Sequence, residues 1–183
     1  LLEGSGAIKH LELLLKRWHC NKFMLVRDSS FPFISIREDI ESIGIDRVDF
    51  FDFTPNPLYE QVENGIEIFN AECCDAIVAV GGGSTIDVAK CIKLFCKMDK
   101  NRVFMRQNYS DTGIPLIAIP TTAGTGREST VHAVIYWEGK KQSICHPSIL
   151  PDDAILDKRV LKTLKKKKKK STMLDALCQG IES

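Results

Sequence analysis

Residues 76–80 read AIVAV and run directly into Gly81–Lys90, GGGSTIDVAK. The first five are apolar on both faces of an extended chain, the pattern of a central strand in a parallel sheet. Past the glycines, Ile86, Ala89, Ile92 and Phe95 recur at helical spacing. A strand that turns through glycines into a helix brings the backbone N–H groups of the helix N-terminus to the carboxyl end of the strand, a geometry that suits a diphosphate. Three glycines remove every Cβ from the turn, and Ser84 offers a hydroxyl donor and a cap for the helix. Taken alone, GGGS is equally well a plain βα turn, and its spacing is neither GxGxxG nor GxxxxGKS.

Outward from this stretch, strand-like and helix-like segments alternate. Ile8, Leu11, Leu14, Leu15 and Trp18 mark a helix, and residues 22–26 (KFMLV) a strand ending at Arg27 and Asp28. Ile36, Ile40 and Ile43 mark a second helix, residues 48–53 (VDFFDF) a strand before the break Pro55-Asn56-Pro57, and Val62, Ile66 and Phe69 a third helix. After a polar loop at 108–113 comes strand-like 116–119. This alternation predicts a Rossmann-like α/β fold, a parallel sheet flanked by helices. Residues 131–137 and 142–145, around a turn at 139–141, read as an antiparallel insertion, and 154–156 as one more short strand. Domain one is expected over 1–164, with 165–183 a linker and the first helix, from Thr172, of a truncated all-helical second domain.

The 183 residues carry 44% hydrophobic and 27% charged side chains and a net charge of +1. That balance gives no global field toward nucleic acid or membrane and makes a small molecule the expected partner. Six consecutive lysines, Lys165 to Lys170, read as a solvated basic linker. Seven cysteines without a CxxC pair read as reduced, buried thiols of a cytoplasmic protein. No apolar run approaches the ~20 residues of a membrane-spanning helix. The chain starts at Leu1 and closes on DALCQGIES, which reads as a helix cut in mid-pattern, so a fragment, inactive by itself, is expected.

Further segments fall in one order along the chain: PNP at 55–57, IPTTAGTG at 119–126, AVIY at 133–136, PxxxPDxAILD at 147–157 and LDAL at 174–177. Together with GGGSTIDVAK they resemble the iron-containing, group III alcohol dehydrogenases, whose first half is a Rossmann-like domain and whose second half is helical and holds the metal. AVIYWEGKKQS, HPSILPD and DALCQGIES are most similar to the phosphonoacetaldehyde reductase branch. The resemblance implies an oxidoreductase that interconverts a small alcohol and its aldehyde by metal-assisted hydride transfer, with NAD or NADP as cofactor and Fe(II) or Zn(II) as metal. A homodimer is the assembly it allows.

It also assigns residues. Gly81, Gly82, Gly83 and Ser84 would hold the cofactor diphosphate and Asp87 would help to order that loop, although Asp87 is also a plain first-turn aspartate favoured by the helix dipole. Thr121, Thr122 and Thr125 match a loop that approaches the diphosphate and nicotinamide. Asp28 matches the carboxylate that accepts from the adenosine ribose and repels a 2′-phosphate, while Arg27 beside it leaves NADP open. Asn56 and Lys141 match positions near the cofactor, and serve equally as a turn asparagine and a surface lysine. In the metal helix, DALxHAxE in the family, Asp175 keeps a ligand position and Gln179 replaces the histidine. A neutral amide oxygen is a poorer ligand than imidazole, so weakened metal affinity is expected. Two readings stay beside this one: a non-catalytic nucleotide-binding module, and an enzyme of the same fold like glycerol dehydrogenase or dehydroquinate synthase.

Overall fold

The computed structural model describes residues 1–122 and 124–162. Strands β1 (Leu2–Gly4), β2 (Lys22–Arg27), β3 (Asp46–Phe50), β4 (Ala76–Gly81), β5 (Leu116–Pro120) and β8 (Asp153–Asp157) form one sheet in the order β1-β8-β5-β4-β2-β3, with all pairs parallel. The hairpin β6 (His132–Trp137) and β7 (Lys140–Cys145) is separate and antiparallel. Helices α1 (Leu11–Arg17), α2 (Arg37–Glu41), α3 (Tyr59–Ala71), α4 (Gly83–Phe95) and α5 (Lys158–Lys162) lie between and after the strands, with short 3-10 turns in the connections.

The period-2 geometry of a strand sorts the apolar runs into two cores. Met24, Val26, Ile77, Ala79, Leu116 and Ala118 face one cluster, which contains the buried sides of α3, α4 and the hairpin. Their neighbours Phe23, Leu25, Ala76, Val78, Ile117 and Ile119 face the other, with Leu11, Leu15 and Ile40. Both sheet faces are thus covered, as the unbroken apolar run of β4 requires.

Five features differ from the sequence reading. β3 stops at Phe50, where its pairing with Val26 ends, and Phe51 leaves the sheet 56% exposed. β1 is three residues long, too short for a period to show. The second helix is the short α2, and the first begins as a 3-10 turn over Ala7–His10. The hairpin turn is Glu138-Gly139, both at positive φ (50° and 72°), so Lys140 and Lys141 belong to β7. Two consecutive left-handed residues are what a two-residue hairpin turn with the sheet's own twist demands.

Of the cysteines, Cys74, Cys91 and Cys96 are buried, but Cys73 and Cys145 are exposed and Cys20 is half-buried, so the expected burial holds only in part. Among the described residues no helix is long and apolar enough to cross a membrane. The expected boundary at 164/165, the lysine run and the helix from Thr172 lie outside the described residues.

Candidate dinucleotide site

The strand order places β2 and β4 side by side while the chain leaves them in opposite directions, β2 toward β3 and β4 toward β5. Such a switch point opens a crevice at the carboxyl ends of the strands. Here it is a cavity of about 460 Å³ between Asp28, Phe51, Gly82, Ser84, Thr122 and Thr125. A second hollow of about 310 Å³ adjoins it through Pro55, Gly83, Ser84 and Thr125 and reaches Asn56, Asp87 and Lys141. Apart from Gly81 and Thr121, every cofactor residue expected from the sequence lines one of the two. Asp175 and Gln179 lie outside the described residues.

The three glycines have different reasons to be glycine. A Cβ on Gly81 would collide with Thr85 Oγ1 and stand 2.6 Å from Thr85 Cβ, so this residue serves packing. Gly82, at φ −80° and ψ −170°, has a conformation open to any residue, and its Cβ would meet nothing closer than Thr122 Oγ1 at 3.5 Å. Bareness at Gly82 therefore leaves room for a ligand. Ser84 is not the cap that the sequence predicts: Gly82 occupies the N-cap position without a side-chain bond, and the Ser84 hydroxyl donates to the Pro55 carbonyl. Among the described residues no side chain thus caps the first turn of α4, the state in which a helix N-terminus accepts an anion.

Around this cradle the loops are tied to one another. Thr121 N–H donates to the Gly81 carbonyl at 2.9 Å, extending the β4–β5 ladder into the threonine loop. Gln61 Oε1 accepts from Thr54 N–H and Leu58 N–H, and Tyr136 N–H donates to the Pro57 carbonyl at 2.8 Å, which pins the PNP turn between α3 and the hairpin. Thr125 Oγ1 is buried without a hydrogen-bond partner among the described residues. A buried orphan hydroxyl carries a desolvation cost that a ligand's oxygen would relieve.

Asp28 ends β2 in a turn, its Oδ1 accepting from Ser30 N–H at 2.8 Å and Ser30 Oγ at 2.5 Å. Its Oδ2 has no partner among the described residues. Arg27 is occupied elsewhere: Nε donates to Asp49 Oδ2 at 2.7 Å and the guanidinium carbon lies 4.3 Å from the Phe51 ring centroid. Asp49 also pairs with Arg47.

Asp87 does not bond to the glycine loop. Its side chain is 6% exposed, Oδ1 accepts no hydrogen bond among the described residues, and Arg127 Nε stands 3.7 Å away. Burial pushes its carboxyl up to about 6, against the pull of Arg127, a backbone N–H and Lys90. Lys90, fully buried, donates to the carbonyls of Arg127 (2.6 Å), Thr130 (2.6 Å) and His132 (3.0 Å) and to Thr130 Oγ1 (3.2 Å). The sequence reading missed both Lys90 and Arg127. A signal existed for the lysine, since residue 90 falls on the apolar stripe of Ile86 at i+4 spacing.

A family model described as iron-containing alcohol dehydrogenase matches residues 1–158. The chain belongs to the iron-containing alcohol dehydrogenase family. Within that family the NAD-dependent methanol dehydrogenase of Bacillus methanolicus is 33% identical over 98% of this chain and 49% of its own length. The choline dehydrogenase of Bacillus subtilis is also 33% identical, over 98% of this chain and 47% of its own. A sulfoacetaldehyde reductase from Bifidobacterium kashiwanohense, solved in complex with NAD+, superposes with a TM-score of 0.89 at 29% identity, covering 99% of this chain and 50% of that one. This iron-containing alcohol dehydrogenase chain therefore spans about half the length of the relatives it matches. Among its described residues no group of three or more His, Cys, Asp or Glu side chains is placed to hold a metal ion.

Proposed function

We propose that this chain is the cofactor-binding half of an NAD(P)-dependent oxidoreductase that interconverts a small alcohol and its aldehyde. The observation that carries the reading is the switch-point crevice, lined by a bare Gly82, by Asp28, whose Oδ2 is free among the described residues, and by Thr125, whose buried hydroxyl has no partner among them. A bound NAD(P) supplies the hydride acceptor or donor there. The chain's residues bind and orient it. The α4 N-terminus and Gly82 receive the diphosphate, Thr122 and Thr125 donate to its oxygens, and Asp28 accepts from the adenosine ribose.

Two features favour NAD over NADP. Asp28 presents a carboxylate where a 2′-phosphate would stand, and Arg27, the cation beside it, is already paired with Asp49. The metal that the family name implies would belong to residues beyond those described, with Asp175 and Gln179 its expected ligands in this chain.

Titration of the chain with NADH and NADPH, followed by nucleotide fluorescence, tests the reading. Saturable binding that Gly82→Val abolishes is expected. A folded chain that binds neither nucleotide, or a Gly82→Val variant that binds as well as wild type, would overturn it.

A further inference from the structure

The glycine turn itself offers only backbone dipoles to a doubly charged diphosphate, yet the cation of Arg127 stands beside it. Arg127 begins a 3-10 turn (Arg127–Ser129) behind Gly126, which is left-handed at φ 58°. Its Cγ lies 3.4 Å from where a Cβ on Gly83 would be, so the side chain's stem lies along the glycine loop. The guanidinium is loosely held. Its contact with Asp87 is 3.7 Å, beyond hydrogen-bond length, and no acceptor for its terminal nitrogens exists among the described residues. Its side chain is 30% exposed, toward the hollow shared with Ser84, Thr125 and Lys141.

What fixes this arginine's backbone is Lys90. A buried ammonium needs its donors satisfied, and its acceptors among the described residues come from residues 127, 130 and 132, the path from the threonine loop into β6. One side chain of α4 thus holds the segment that carries Arg127 against the helix whose N-terminus forms the cradle. Asp87, one turn before Lys90 on α4, keeps the guanidinium near Gly83 without saturating it.

We infer that Arg127 contacts the dinucleotide's diphosphate and that Lys90 is the positioning residue that holds Arg127 over the glycine loop. The inference rests on the proposed dinucleotide reading and adds a charged, bidentate donor to it.

NADH titrations of wild type, Arg127→Ala, Arg127→Lys, Lys90→Met and Lys90→Arg test it, with ADP and adenosine as competitors. Arg127→Ala is expected to raise the Kd for NADH and for ADP about tenfold or more, the scale of one charge-assisted hydrogen bond, and to leave adenosine unchanged. Arg127→Lys should recover part of the loss. Lys90→Met should reproduce the loss for NADH and ADP, and Lys90→Arg, which keeps the charge, should recover part of it; that pair of arginine and lysine variants still decides if Lys90→Met does not fold. Wild-type affinity in Arg127→Ala, or equal weakening of ADP and adenosine, would overturn the inference. Wild-type affinity in a folded Lys90→Met would overturn the role of Lys90. Gly82→Val separates the levels: if it loses NADH while Arg127→Ala does not, the dinucleotide reading stands and only this inference falls.

Discussion

Gly82 and Thr122 face each other at the mouth of the crevice, the threonine Oγ1 3.5 Å from where a Cβ on the glycine would lie. Gly81, one residue earlier, has no such room, because the same atom would strike Thr85. Gly81→Ala is therefore expected to cost about 1–3 kcal/mol of stability through overpacking, and Gly82→Ala close to none. The NADH affinity should respond in the opposite sense, falling in Gly82→Ala. Urea unfolding and NADH titration of the two variants, side by side, check both halves.

Asp28 should govern the choice between the two nicotinamide nucleotides. In Asp28→Ala the ratio of NADH to NADPH affinity is expected to drop about tenfold, since a carboxylate no longer opposes the 2′-phosphate. An unchanged ratio would mean that the ribose end of the ligand lies elsewhere.

Asp157 closes β8 with a fully buried side chain that accepts from Gly6 N–H at 3.0 Å, Ile8 N–H at 3.2 Å and Arg159 Nη2 at 2.9 Å. The hydrogen bonds from Arg159 and from these backbone groups hold the carboxyl down at about 2, despite the opposing effect of burial. A folded value below the ordinary 3.8 means that its stabilisation is complete above pH 4 and is lost as pH falls from there toward 2. The shift corresponds to about 2 kcal/mol. Asp157→Asn should lose roughly that much at pH 7, and the gap from wild type should narrow below pH 4 in denaturant unfolding.

Asp87 has the opposite sign. Its folded carboxyl stands at about 6 against an ordinary 3.8, so the folded state prefers the protonated form. Its stability cost is absent below pH 4, grows between pH 4 and 6, and is complete above, at roughly 2–3 kcal/mol. Asp87→Asn is expected to be more stable than wild type at pH 7 and equal to it near pH 4. A variant that is less stable at both values would show that the attraction of Arg127 outweighs burial.

The elements that build the crevice were legible because burial on both faces leaves an unbroken apolar run, and β2, β4 and β5 all carry one. The rim was legible only as residue types. That Ser84 bonds to the PNP turn and Gly82 holds the cap position depends on loops brought together by the sheet, which no local pattern encodes. Phe51 reads as strand because it is aromatic, yet the β2–β3 ladder ends one residue earlier, at Val26 and Phe50, while β2 itself runs on to Arg27 against β4. Arg127 escaped notice for a similar reason: its neighbours in sequence are turn residues, and its neighbours in space, Gly83 and Asp87, lie on α4.

The parting of the chain at β2 and β4 also separates two kinds of change. Where the ligand lies follows from the winding order of the strands, which is anchored by side chains pointing into two cores and away from the rim. What the ligand is depends on a few rim groups, such as Asp28, that bear little of the fold's weight. Descendants of one ancestral gene are thus free to exchange one nucleotide or substrate for another by point changes, with no redrawing of the scaffold that receives it.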